Sequence, residues 1–133
     1  MKKYVVGISE IVLWADDLAR MVAWYRDGLG MEQISPPERA NPIFLKAGEG
    51  NAGIPQMIVL VQKPNDVRAQ PSGFQLHHLA LELPPEAFDA QRRWFELQGQ
   101  EVRDGLHPVI ASRTFYVDDP MGNEVEFICR ERS

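Results

Sequence analysis

An α+β fold in which one β-α-β-β-β pattern is used twice is what this 133-residue sequence predicts. Three observations predict it. Two short apolar runs, Ile8-Ser9-Glu10-Ile11-Val12-Leu13 and Leu76-His77-His78-Leu79-Ala80-Leu81, each carry a metal-competent side chain, and Glu10 and His78 stand 68 residues apart. Each run leads into a segment with helical spacing of apolar residues, stopped by Gly30 in one case and Gly99 in the other. Three strand-like runs then follow each helix. The expected organisation is a single domain of two modules, 1–63 and 76–133, joined by a linker at 64–75.

The elements follow in order. Residues 5–15 are rich in β-branched side chains and bounded by Asp16-Asp17, which reads as a largely buried strand. Asp16 or Asp17 then caps a helix in which Leu18, Met21, Val22, Tyr25 and Leu29 share one face, with Arg20, Arg26 and Asp27 on the other. Strands are expected at 31–35, 43–47 and 56–62, separated by Pro36-Pro37 and by the glycine-rich run 48–53. The linker holds two prolines and few apolar side chains. The second module opens with a strand at 76–83, broken by Pro84-Pro85, and Pro85 suits the first turn of a helix over 86–98. Strands at 101–103, 112–118 and 123–130 complete it. The run Asp119-Pro120-Met121-Gly122-Asn123 is a hairpin turn, with Pro fixing φ and Gly accepting positive φ.

Composition excludes several function classes. The net charge is -5 and no Lys/Arg cluster interleaves with aromatics, so the footprint of a nucleic-acid partner is missing. No apolar run approaches the about 20 residues of a membrane span, and the basic N-terminus lacks the apolar core of a signal peptide. The lone Cys129 forms no intramolecular disulfide and reads as a small buried residue of the last strand. A cytoplasmic protein with no nucleic acid and no membrane as partner is the expectation.

Alternation along the strands singles out the chemistry. Glu10 shares a face with Ile8, Val12 and Trp14, while Ile11, Leu13 and Ala15 face the helix. By the same count His78 lies opposite Leu79 and Leu81, and Glu126 opposite Val125 and Phe127. His77 faces away from His78 and reads as structural. An ionised glutamate in an apolar enclosure is costly unless paired, hydrogen-bonded or metal-bound, and one divalent cation satisfies Glu10, His78 and Glu126 together. Solvated strand glutamates and a hydrogen-bonded structural histidine satisfy the same pattern.

The opening Glu10-Ile-Val-Leu-Trp-Ala, Asp17-Leu18 and Trp24-Tyr25-Arg26-Asp27-Gly28-Leu29-Gly30-Met31, with the closing Arg113-Thr114-Phe115-Tyr116-Val117-Asp118-Asp119-Pro120-Met121-Gly122-Asn123-Glu124-Val125-Glu126, resembles the glyoxalase/bleomycin-resistance/extradiol-dioxygenase group, the vicinal oxygen chelate superfamily. That resemblance implies paired βαβββ modules curled into an incomplete barrel around a central cleft and a divalent metal ion, of which Fe, Mn, Zn, Ni and Mg are all candidates. Family ligands come from the first and last strands of each module. Carried across, they fall on Glu10, His78 and Glu126, and at the end of module one on or near Val59, which offers no donor; Gln56 and Gln62 flank it. The implied activity is that of a homodimeric glyoxalase I-like lyase or extradiol dioxygenase-like oxidoreductase acting on a small-molecule substrate, with Glu126 or Glu10 as the catalytic base. Two carboxylates and one imidazole neutralise a divalent ion, which disfavours oxygen activation relative to proton transfer beside a carbonyl.

Two alternatives share the fold: a non-catalytic module of bleomycin-resistance type that sequesters a ligand, and a fosfomycin-type thiol transferase. For the latter no cationic pocket is evident near the end of the chain at Arg132-Ser133. Substrate contacts are expected from Trp14, Thr114, Tyr116, Arg113 and His107. For these, core packing of Trp14, a surface ion pair of Arg113 with Glu101 or Glu124, and an exposed loop position of His107 are the competing structural roles.

Overall fold

The computed structural model describes residues 4–64 and 76–131. Most of the expected linker, 65–75, and Arg132-Ser133 lie outside the described residues. The chain divides into two compact units, Met1–Gln70 and Pro71–Ser133. Among the described residues each unit holds one open four-stranded mixed sheet and one main helix, which is the α+β class read from the sequence.

In the first unit β1 (Glu10–Ala15) lies parallel to β4 (Gln56–Gln62), β4 antiparallel to β3 (Ile43–Gly48), and β3 antiparallel to β2 (Glu32–Gln33), giving the order β1-β4-β3-β2. The connection from β1 runs through α1 (Leu18–Val22), as a parallel pair requires a crossover. Asp17 is the cap, its carboxylate accepting from the Arg20 N–H at 3.1 Å. The helix then widens into a π-helical stretch, Ala23–Gly28, closed by the Leu29 N–H on the Trp24 carbonyl. Trp24 and Tyr25 of this stretch are both buried. Gly30 ends the helix at φ 72°.

The second unit repeats the order as β5-β8-β7-β6. Its elements are β5 (Leu79–Glu82), a 3-10 turn at Pro85–Ala87, α2 (Phe88–Leu97), β6 (Arg103–Gly105), β7 (Ser112–Asp118) and β8 (Glu124–Arg130). Phe88 and Phe95 of α2 pack on Phe115 and Phe127, the last two rings stacked with centroids 5.0 Å apart. Cys129 is buried on the same side.

Strand ends are where the sequence reading is corrected. The strands expected at 5–15 and 76–83 start at Glu10 and Leu79. Both belong to parallel pairs whose partners begin at Gln56 and Glu124, so residues further upstream have no ladder to join. The strand expected at 101–103 sits two residues later, where Arg103, Asp104 and Gly105 pair with Tyr116, Phe115 and Thr114.

Candidate functional site

In the second unit, Val125, Phe127 and Cys129 of β8 point into the aromatic core under α2, so Glu124, Glu126 and Ile128 point to the other face. The antiparallel register sets Tyr116 directly across from Glu126 and Thr114 across from Ile128, and the parallel register sets Ala80 beside Glu126. His78 immediately precedes β5 and reaches the same face.

The result is a line of three close side chains on one face. Tyr116 donates its hydroxyl to Glu126 Oε1 at 2.6 Å, and His78 Nε2 lies 3.4 Å from the same oxygen. The Glu126 side chain is only 5% exposed and that of His78 33%, so the carboxylate is withdrawn from water while the imidazole borders it. The hydrogen bond to Glu126, reinforced by burial and by the Glu126 and Glu124 charges, pushes the Tyr116 phenol up to about 12. Tyr116 therefore stays a proton donor to Glu126 throughout the neutral range.

Neighbours complete the face. Thr114 is buried and its hydroxyl makes no hydrogen bond of normal geometry, although its approach to the Tyr116 phenol works against the upward shift. Arg103 donates to Asp118 at 2.8 Å and to Glu124 at 3.5 Å. Gly105 allows the Tyr116 ring to lie close over β6, since a Cβ there would stand 2.1 Å from the ring and 2.7 Å from Thr114 Oγ1. Sequence reasoning missed Arg103 and Gly105; counting outward from the turn at Asp119 to the rungs opposite Tyr116 and Thr114 is the signal that finds them.

Arg113 and His107 lie off this face of the second unit, and the first-unit residues are placed on their own sheet. Arg113 is on the α2 side of β7, its guanidinium 4.3 Å over the Phe88 ring and paired with Asp89 at 2.8 Å. His107 is in the loop between β6 and β7, where its Nδ1 accepts from the backbone N–H groups of Val109 and Ile110. In the first unit, Glu10, Val12 and Trp14 share the non-helix face of β1 and are exposed, Trp14 at 43%. Gln62 is committed to the backbone: its Nε2 donates to the carbonyls of Ala15, Asp16 and Lys63, and its Oε1 accepts from the Leu18 N–H. Its amide thus fastens the corner between β1 and α1. On the helix side of this sheet a hollow of about 460 Å³ is lined by Arg26, Gln33, Ser35 and Arg39, among others, and Asp27 offsets the Arg26 charge.

The sequence profile of the Glyoxalase/Bleomycin resistance protein/Dioxygenase superfamily matches residues 7–127. The chain belongs to this superfamily. Among solved structures, a glyoxalase family protein from Bacillus anthracis is similar at 26% identity with a TM-score of 0.72, over 98% of this chain and 100% of the other. Lactoylglutathione lyase from Agrobacterium tumefaciens is similar at 26% identity and a TM-score of 0.69, over 96% of each chain. A glyoxalase/dioxygenase from Nostoc punctiforme, 18% identical with a TM-score of 0.73 over 95% of this chain and 92% of its own, supports the fold alone. No curated protein matches.

Superfamily membership makes the metal question concrete, and the donor chemistry of the second unit answers part of it. An imidazole nitrogen and a buried carboxylate oxygen 3.4 Å apart form a mixed N/O pair of the kind that suits first-row divalent ions. His78 and Glu126 fit such an ion. Within their own unit no third His, Cys, Asp or Glu joins them among the described residues. Register also identifies the position in the first unit that matches Glu126. Ala80, two residues after His78, pairs with Glu126, and Val12, two residues after Glu10, pairs with Val59. Val59 is thus the counterpart of Glu126, and Phe44, paired with Val59, is the counterpart of Tyr116.

Proposed function

We propose that this superfamily member is a small-molecule metalloenzyme of glyoxalase/dioxygenase type, acting on a substrate with vicinal oxygens, with Glu10, His78 and Glu126 as the protein ligands of a divalent ion. The observation that carries the reading is the approach of His78 Nε2 to the buried carboxylate of Glu126. When bound, the ion would supply Lewis-acid stabilisation of charge developing on a substrate oxygen. The chain's own residues supply the rest. Burial keeps water from the carboxylate, and Tyr116 holds one of its oxygens in place at 2.6 Å. A carboxylate so fixed is placed to take a proton from a carbon next to a carbonyl and return it, while Tyr116, neutral until about pH 12, does not compete as a base. Glu10, on an exposed face with Trp14, is the second candidate base, and Trp14, Thr114 and Tyr116 are proposed to touch the substrate. The proposed reaction class is lyase or isomerase chemistry of the proton-transfer kind, ahead of ring-cleaving dioxygenation.

One observation favours a second reading, a ligand-sequestering module without catalysis: the His78–Glu126 pair has no third donor within its own unit among the described residues. Metal analysis of protein purified without chelator separates the two. The enzyme reading expects about one divalent ion per chain, with Glu10→Gln and Glu126→Gln each lowering occupancy. Full occupancy in both variants would refute the ligand set, and metal-free wild-type protein that takes up none on reconstitution would refute the enzyme reading. Unlike Glu126, Glu10 lies on an exposed strand face, so Glu10→Gln is expected to leave the unfolding midpoint of metal-free protein unchanged while lowering metal content.

A further inference from the structure

We propose that His77 is a positioning residue whose Nδ1 accepts the Nδ1–H of His78, so that His78 Nε2 is turned to the Glu126 side as a ligand atom; this rests on the reading of His78 and Glu126 as a metal-binding pair. The two Nδ1 atoms are 2.7 Å apart, with the rings crossing at 66° rather than stacking. Two bare nitrogens at that separation repel through their lone pairs, and two N–H groups collide, so a single proton lies between them.

Only two arrangements are then open to the neutral rings. If His77 donates, His78 Nδ1 is an acceptor and its proton sits on Nε2, the atom 3.4 Å from Glu126 Oε1, where it blocks coordination. If His78 donates, Nε2 is free to coordinate. A bound ion selects the second: it takes the Nε2 lone pair, on an atom that otherwise faces the Glu126 carboxylate better as an N–H, and leaves the proton on Nδ1, where His77 accepts it, while the N–H that the exposed His77 then carries on Nε2 is hydrated. The side chain that alternation assigned to the opposite face thus acts on the site because residues 76–78 precede the strand and escape its alternation. A ligating histidine whose far N–H is held by an acceptor is oriented and made more basic, an effect on the order of 10–100-fold in metal affinity.

A series at position 77 tests this, with Zn²⁺ affinity measured by chelator competition and the ¹⁵N NMR signals of the His78 ring read in the same proteins; the chain has three histidines, which keeps the spectrum assignable. His77→Ala removes the acceptor and is expected to weaken Zn²⁺ binding about tenfold, the low end of such effects because water replaces part of the bond. In His77→Asn the Oδ1 stands close to where Nδ1 stood and restores most of the affinity, and His77→Asp restores it fully or tightens it. His78 Nδ1 is expected to be protonated in the zinc-loaded wild-type protein. Unchanged affinity in His77→Ala overturns the proposal while leaving the ligand assignment standing, and a zinc-loaded His78 ring with bare Nδ1 overturns both. Wild-type protein that takes up no zinc overturns both the ligand assignment and the positioning role of His77, whatever the ring state.

Discussion

The two units share strand order and register, yet at matched rungs the first carries Phe44 across from Val59 and the second Tyr116 across from Glu126. The two differences come as a pair. A buried carboxylate without a donor costs about 1–3 kcal/mol, and the half-buried Tyr116 phenol would lose its acceptor, so either change alone is penalised. The comparison teaches that the buried carboxylate on the non-helix face comes together with its donor on the facing strand. It also places the chemical asymmetry in the second unit, whose face brings His78, Glu126 and Tyr116 together where the first unit offers Glu10 beside apolar Val12 and Trp14.

The helix-side cores differ as well, and the largest expected effect tests whether each unit stands on its own core. Phe95 is fully buried among Phe115 and Phe127, while the first unit relies on Met21, Tyr25, Leu45 and Leu60. Phe95→Ala is expected to cost about 3–5 kcal/mol. Hydrogen exchange should quicken in β7 and β8 more than in β3 and β4. Equal acceleration in both sheets would break the picture of two separately cored units.

Next in size is the matched-rung pair itself. Tyr116→Phe and Glu126→Val, measured singly by urea unfolding of metal-free protein, are each expected to cost about 1.5–3 kcal/mol, since each leaves a partner unsatisfied. The double variant writes the first unit's rung into the second and should cost less than the sum by roughly 1–2 kcal/mol. Strict additivity would show that Tyr116 and Glu126 do not depend on one another, and the explanation of the paired difference would fail.

How much of this is legible in the sequence follows from what each feature depends on. Periodicity and glycine stops are local, so the order of elements and the helix ends at Gly30 and Gly99 can be read directly. Strand starts at Glu10 and Leu79 depend on where a distant parallel partner begins, and no local pattern carries that. Alternation places Glu126 on the face away from α2, and it also lets Thr114 and Tyr116 share that face. Their pairing needs the register of the hairpin, which the turn fixes: Asp119 accepts from the N–H groups of Met121 and Asn123, so Asp118 faces Glu124 and Tyr116 faces Glu126. Arg113 shows the opposite case. Its residue type suggests a substrate contact, but its odd position on β7 sends it to the α2 side with Phe88 and Asp89. His77 escapes alternation because its segment is not strand.

The smallest expected effects use glycines to separate what the duplication kept from what it changed. Gly30 and Gly99 end the two helices at φ 72° and 78°, and a Cβ at either would meet no atom within 4 Å. Their substitution by Ala is therefore expected to cost only backbone strain, about 1 kcal/mol each and nearly the same in both units. Asn tolerates this conformation better than Ala, so Gly30→Asn and Gly99→Asn should each be milder than the Ala variants. Gly105 reverses that order. There the obstacle is the Tyr116 ring, 2.1 Å from a built Cβ, so bulk rather than φ sets the cost. Gly105→Ala should destabilise by roughly 1–3 kcal/mol through the shifted ring, and Gly105→Asn by more. Thermal unfolding of the six variants reads the contrast: Asn above Ala at 30 and 99, Ala above Asn at 105. If Asn were also the milder change at 105, the ring would be moving aside freely, and Gly105 would no longer account for the position of the hydroxyl that holds Glu126.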